Sequence, residues 1–199
     1  MGEMTTISLQ DLLSSISASS LPDPTLYQYY KCLSENTILI NQEIDENLVE
    51  YAILPLQRMD ADENVDHINI IIDSPGGEIY SGFALISAIE HCKTPITMRI
   101  VGMAASMAGY IAMAKSPTLK VVCDEWSVGL IHAGSTMLEG NSNSVKDMFK
   151  FNEKYEEKIK EYVLSHTKID EKMYADIERY EYWMNANEMV RLGIVDEIA

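Results

Sequence analysis

Cysteine is scarce here, cationic side chains are about half as many as anionic ones, and no long apolar run is present. The three cysteines, Cys32, Cys92 and Cys123, are odd in number, far apart and form no CxxC pair. That argues against a disulfide framework and a structural zinc site, and it points to a reducing, cytoplasmic setting. Lys and Arg total 15 against 31 Asp and Glu, a formal charge of −16. Such a surface repels phosphate backbones and anionic lipid headgroups, so neither nucleic acid nor a membrane is an expected partner. The first residues include Glu3 and Asp11 without a basic patch or an unbroken apolar stretch, so neither a secretory signal nor a membrane span is expected. The match of MGEMTT to a myristoylation pattern is weak.

What the chain does have is apolar content. Of its 199 residues, 47% are apolar, enough for one compact domain with a real core. Residues 1–26 are expected to be a flexible N-terminal arm, rich in Ser and closing on LPDP, and residues 27–199 a single domain. Strand-like and helix-like segments then alternate: TILI (37–40), an apolar-periodic run from Leu48 to Met59, HINIIID (67–73), IYSGFALISAIEHCK (79–93), ITMRIV (96–101), MAGYIAMA (107–114), LKVV (119–122) and WSVGLIH (126–132). A long amphipathic helix is expected over 144–167, then a capping box at Asn185 and Glu188 and a last strand, IVDEI. Strands spaced by helices in this way predict an α/β fold of βαβ units with a mostly parallel sheet. The apolar faces carrying Ile79, Phe83 and Ile86, and the run from Leu48 to Leu56, exceed what one such sheet covers, which predicts burial between subunits.

In parallel sheets chemistry collects where strand ends turn into helices. Two turns stand out. In DSPGGE (73–78), Pro75 has no N–H, while Gly76 and Gly77 open backbone conformations closed to other residues and expose amide donors. In GMAAS, Ser106 stands among small apolar residues at a helix N-terminus, where unpaired N–H groups favour developing negative charge. Ser106 is either a helix N-cap or a nucleophile, and the second role needs a base. His132, closing WSVGLIH at another strand edge, is the candidate, because His67, His91 and His166 all have ordinary surface explanations.

The segments SPGGEIYSG, GMAASMAGYIAMA, LIHAG and NANEMVRLGIVDEI, in this order and spacing, resemble the ClpP-type serine proteases from about Tyr29 to the end. The resemblance implies a ClpP/crotonase-type fold with a protruding long-helix handle, assembled as two stacked heptameric rings around a chamber. It also implies a AAA+ unfoldase partner that uses ATP, polypeptide substrates, and no cofactor or metal in this chain. By the same resemblance Ser106 is the nucleophile, His132 the general base, and the N–H groups of Gly77 and Met107 the oxyanion hole. Where the family has a catalytic Asp, ungapped counting gives Glu181, one methylene longer and equally anionic, with Asp176 as the fallback and a chain lacking a third member as the remaining case. Tyr180 stands where the family has an Arg tied to ring–ring contact, and Ala133–Gly134 replaces the usual Gln-Pro. The segment GSTMLEGNSNS (134–144) is either a substrate-pairing handle or a plain surface hairpin. Two competing functions are an inactive ring subunit and a crotonase-type acyl-CoA hydratase or isomerase, for which this acidic chain lacks a basic CoA surface.

Overall fold

The computed structural model describes residues 23–134 and 138–199, so most of the expected N-terminal arm and three residues of the handle lie outside it. Helix α1, Pro24–Ser34, starts inside the 1–26 segment. The Asp23 carboxylate caps it by accepting from Thr25 N and Leu26 N, and Pro24 occupies the first position, where a missing N–H costs nothing. Strand β1, Thr37–Ile40, follows. Next comes a wide, π-type turn over Val49–Ile53, which runs into α2, Leu54–Ala61, where Pro55 has no N–H to continue the ladder. The remaining elements are β2 Ile68–Ser74, α3 Ile79–His91, β3 Ile96–Ala105, α4 Met107–Ala112, β4 Leu119–Cys123, β5 Val128–Ile131, α5 Ser142–His166, α6 Glu171–Ile177, β6 Tyr182–Asn185, α7 Ala186–Arg191 and β7 Glu197–Ile198.

The strands form one sheet in the order β1-β2-β3-β4-β7, with β5 paired to β3 and β6 paired to β5. Every pairing is parallel except β5 with β6. The fold is therefore the mostly parallel α/β architecture expected from the alternating segments.

Strand β3 is the branch point that positions the site. Its first half, Ile96–Ile100, pairs with β4, and Met103–Ala105 pairs with β5. Buried Ser127 marks the fork: its hydroxyl donates to Ile100 O at 2.7 Å and accepts from Asp124 N at 3.1 Å. On the other side of β3, the register jumps from Ile72–Ile100 to Ser74–Ala104, so β3 advances four residues while β2 advances two. The Asp73 carboxylate fills the gap by accepting from Met103 N at 3.0 Å. GMAA, read from sequence as a turn, is thus the last stretch of strand.

One face of the sheet carries the core. Ile68, Ile70 and Ile72 of β2 and Ile96, Met98 and Ile100 of β3 are buried, and Leu85, Ile86 and Ile89 of α3 join them. On the opposite face Arg99 pairs with Asp124 at 2.7 Å, and Val101 is exposed. The faces expected to lie between subunits are mostly satisfied within this chain: Leu48, Ala52, Leu56 and Ile86 are buried, and Ile79 and Phe83 pack against the same core. Helix α5 instead carries the uncovered apolar side chains Met148, Phe149 and Phe151.

Candidate active site

No residue separates β3 from α4 except Ser106. Reversing from strand to helix within one residue puts it at φ 54°, ψ −122°. Among the described non-glycine residues only Asn36 shares a positive φ. For an L-residue such a conformation costs about 1–3 kcal/mol and persists only where the surroundings enforce it. They do: Ser106 N donates to Leu130 O at 2.9 Å, Tyr110 N donates to Ser106 O at 3.2 Å, and all six residues of α4 are buried. Ser106 stands at the N-cap position, yet its side chain makes no cap bond. The hydroxyl lies 2.8 Å from His132 Nε2 instead. The register accounts for the meeting, because Ala105 pairs with Leu130, which leaves Ser106 beside the end of β5 and His132 immediately after it. The Tyr110 hydroxyl donates to the His132 carbonyl at 3.4 Å.

The DSPGGE turn packs directly on this junction. Gly76 and Gly77 have φ of 95° and 148°. A Cβ on Gly76 would fall 2.4 Å from Ala105 O, 2.7 Å from Ser106 Cβ and 2.8 Å from Met107 N, so only glycine allows this approach. Gly77 forms a parallel bridge with Ile44, in which Ile44 N donates to Gly76 O at 2.8 Å and Glu78 N to Ile44 O at 2.7 Å. Ile44 therefore bonds the groups on either side of Gly77, whose own N–H has no acceptor among the described residues. The Met107 N–H, first in α4, likewise has none there. These are the two amides expected to receive an oxyanion, on segments that Gly76 brings into contact. Glu78 closes the turn as the cap of α3, accepting from Tyr80 N and Ser81 N. Burial pushes its carboxyl up, but the hydrogen bonds from Ser81 and Tyr80 outweigh that and hold it below the usual range.

The expected third member is near the pair without being joined to it. Antiparallel pairing of Ile131 with Tyr182 sets Glu181 opposite His132 one step further on. The Glu181 carboxylate, however, accepts from Trp183 Nε1 at 3.2 Å, and among the described residues no acceptor is bonded to His132 Nδ1. Asp176 sits exposed on α6, where its backbone carbonyl accepts from Arg179 N and Tyr180 N. Sequence reasoning missed Ser74, whose buried hydroxyl braces the glycine turn, and Trp183. The Ser of SPGG was in plain view; the Trp183 contact depends on a strand that was not read. Among the described residues, no group of three or more His, Cys, Asp or Glu could hold a metal ion, and no described helix is long and apolar enough to cross a membrane.

A strained serine hydrogen-bonded to an imidazole at the carboxyl edge of a parallel sheet, beside unpaired amides, is the arrangement of a serine hydrolase. Comparison with known proteins narrows the class. The chain belongs to the Clp protease family, whose match spans residues 23–199, and it is therefore a peptidase. It is 31% identical over 169 residues to the ATP-dependent Clp protease proteolytic subunit 2 of Treponema denticola, covering 85% of this chain and 84% of that protein. With the subunit 2 of Bacillus licheniformis it shares 30% identity over 171 residues, covering 85% and 89% respectively. The proteolytic subunit of Deinococcus radiodurans is 26% identical over 171 residues, covering 85% and 83%.

Proposed function

We propose that this chain is the proteolytic subunit of a cytoplasmic, ATP-dependent Clp-type protease. It hydrolyses unfolded polypeptides inside two stacked heptameric rings that a AAA+ unfoldase feeds. The observation that carries the catalytic reading is the 2.8 Å contact between the Ser106 hydroxyl and His132 Nε2, with Ser106 held at φ 54°. In this reading the Ser106 oxygen attacks the scissile carbonyl carbon as its proton passes to His132 Nε2. The carbonyl oxygen takes up negative charge against the N–H groups of Gly77 and Met107. Collapse breaks the C–N bond, and the leaving amine takes the proton from His132. Water then attacks the acyl-serine with His132 again accepting a proton, and Ser106 is released with a free hydroxyl. Glu181 is the carboxylate assigned to hold the imidazole and stabilise its charged form. The exposed Met148, Phe149 and Phe151 on α5 support assembly, because apolar side chains this prominent on one helix call for cover.

Fluorophosphonate labelling read by peptide mass spectrometry tests the catalytic reading. Modification is expected on Ser106 alone and is lost in Ser106→Ala and strongly slowed in His132→Ala. Hydrolysis of a fluorogenic peptide by Ser106→Ala above a few per cent of the unmodified rate refutes it.

A further inference from the structure

Two polar side chains are buried among the described residues, Ser74 and Ser127, each 1% exposed. Ser127 stitches the fork in β3. We infer that Ser74 is a positioning residue for the Gly77 amide, setting the direction of the N–H that faces the developing oxyanion. The inference rests on the reading above that Gly77 and Met107 receive that charge.

Ser74 ends β2 and pairs with Ala104, two residues before Ser106. Its hydroxyl uses both of its capacities. It donates to Gln42 O at 2.6 Å, and it accepts from Gly76 N at 3.1 Å. The first bond holds the segment that leads to Ile44, and the second holds the near side of the glycine turn. Ile44 N then takes Gly76 O at 2.8 Å. Because the peptide between Gly76 and Gly77 is planar and trans, its C=O and N–H point in opposite directions. Fixing Gly76 O on Ile44 therefore aims the Gly77 N–H away from Ile44. Glycines at φ 95° and 148° supply no side-chain restraint of their own. The direction of that N–H depends on its flanking hydrogen bonds, and Ser74 anchors both segments that make them. An alanine would fill nearly the same volume but leave Gly76 N buried without a partner and remove the donor that holds Gln42 O.

The test compares Ser74→Ala and Ser74→Cys with the unmodified full-length protein. Assays measure kcat and KM for a fluorogenic peptide and Ki for a peptide boronate, whose tetrahedral adduct on the Ser106 oxygen presents a hydroxyl to the same amides. The expected result for Ser74→Ala is a kcat lowered roughly 10- to 10²-fold, KM within twofold and a boronate Ki raised in parallel with the loss in kcat. Ser74→Cys keeps the shape with a weaker donor and should fall between. It carries the test alone if circular dichroism shows that the alanine variant does not fold. A kcat within twofold of unmodified in the folded variants overturns the inference, as does a loss of kcat with an unchanged boronate Ki. Activity retained in Ser106→Ala would overturn both this inference and the reading beneath it, whereas loss in Ser106→Ala with full activity in Ser74→Ala overturns this inference alone.

Discussion

Adding one methyl group at Gly76 probes the close approach on which the site is built. In Gly76→Ala the new carbon would lie 2.4 Å from Ala105 O, 2.7 Å from Ser106 Cβ and 2.8 Å from Met107 N. Comfortable separation between such atoms is about 3.5–4.0 Å, so the turn must retreat by roughly 1 Å. None of the three atoms lies at the end of a flexible side chain. They belong to the junction held by Leu130 O and by buried α4, which cannot swing aside. The backbone adds its own cost, because φ 95° is unfavourable to alanine. Overpacking of about 1–3 kcal/mol and a conformational penalty of about 1–2 kcal/mol together give roughly 2–5 kcal/mol. Against a domain stability of about 5–15 kcal/mol, that load leaves the variant folded over most of the range, which thermal unfolding verifies. Turnover suffers more in proportion, because a displacement of ~1 Å at the reacting groups costs on the order of 10²-fold. The assay pairs kcat on a fluorogenic peptide with thermal unfolding. Gly134→Ala is the control, since among the described residues a Cβ there meets only Ile79 Cδ1, at an ordinary 3.6 Å. If Gly76→Ala matches that control in both turnover and melting temperature, the turn does not press on Ser106 as argued.

Glu181→Gln should lower kcat by roughly 10³–10⁴-fold, and Asp176→Asn by less than about threefold, in steady-state peptide hydrolysis. The reverse pattern moves the third role to Asp176, and no loss in either leaves a Ser106–His132 dyad. Asp60→Ala should destabilise the fold by about 1–3 kcal/mol in urea unfolding, because Oδ1 accepts from Lys93 N, Thr94 N, Thr94 Oγ1 and Cys92 Sγ. Burial pushes the Asp60 carboxyl up, but the hydrogen bonds from Thr94, Cys92 and Lys93 outweigh it and hold it below its ordinary value. Its contribution is therefore complete above the unfolded value of ~3.9 and fades as pH falls through the lower folded value, so the gap between Asp60→Ala and unmodified protein should narrow only in that acid window. Placing Asp at both Phe149 and Phe151, which are 55% and 52% exposed, should shift light scattering from a large assembly toward the 22.4 kDa chain.

The sequence was most legible where local pattern and tertiary demand agree. TILI is a strand over the residues read as one, and the long helix lies within two residues of its expected ends. Where the reading fell short, the deciding partner is distant. The expected last strand IVDEI keeps only Glu197–Ile198, because Ile194 N and Val195 N turn back to Met189 O to close α7. Half of the capping box is present: Asn185 Oδ1 accepts from Glu188 N, but the Glu188 carboxylate is taken by Tyr182 and Arg191. Strand β6 went unread because YWMN is a short edge segment whose only partner is β5, and Glu181 could be placed beside His132 only through that pairing. Helix α6 is marked in the sequence by a cap-forming residue, Asp170 ahead of EKMYADI, whose side chain accepts from Met173 N.

For Ser106, local pattern narrowed the choice to cap or nucleophile, and only the family resemblance assigned the second role. The N-cap role requires extended backbone, so that the side-chain oxygen turns back toward the second or third N–H of the helix. Asn141, Asp170 and Asn185 meet that requirement with ψ between 163° and 174° and bonds to those groups. Ser106, at ψ −122°, does not. The difference arises because β3 runs on to Ala105, drawn by Asp73 on one side and by β5 on the other, and leaves a single residue for the reversal. A serine held there cannot reach the second or third helix amide with its own oxygen, so its hydroxyl is left for His132, while the Met107 N–H, first in α4 and beyond any N-cap's reach, has no acceptor among the described residues. The same β3–β5 register that denies Ser106 its cap delivers His132 to it. Strain, uncapped hydroxyl and base are in this way consequences of one pairing, and a substitution that shortened β3 by relaxing Asp73 should disturb all three together.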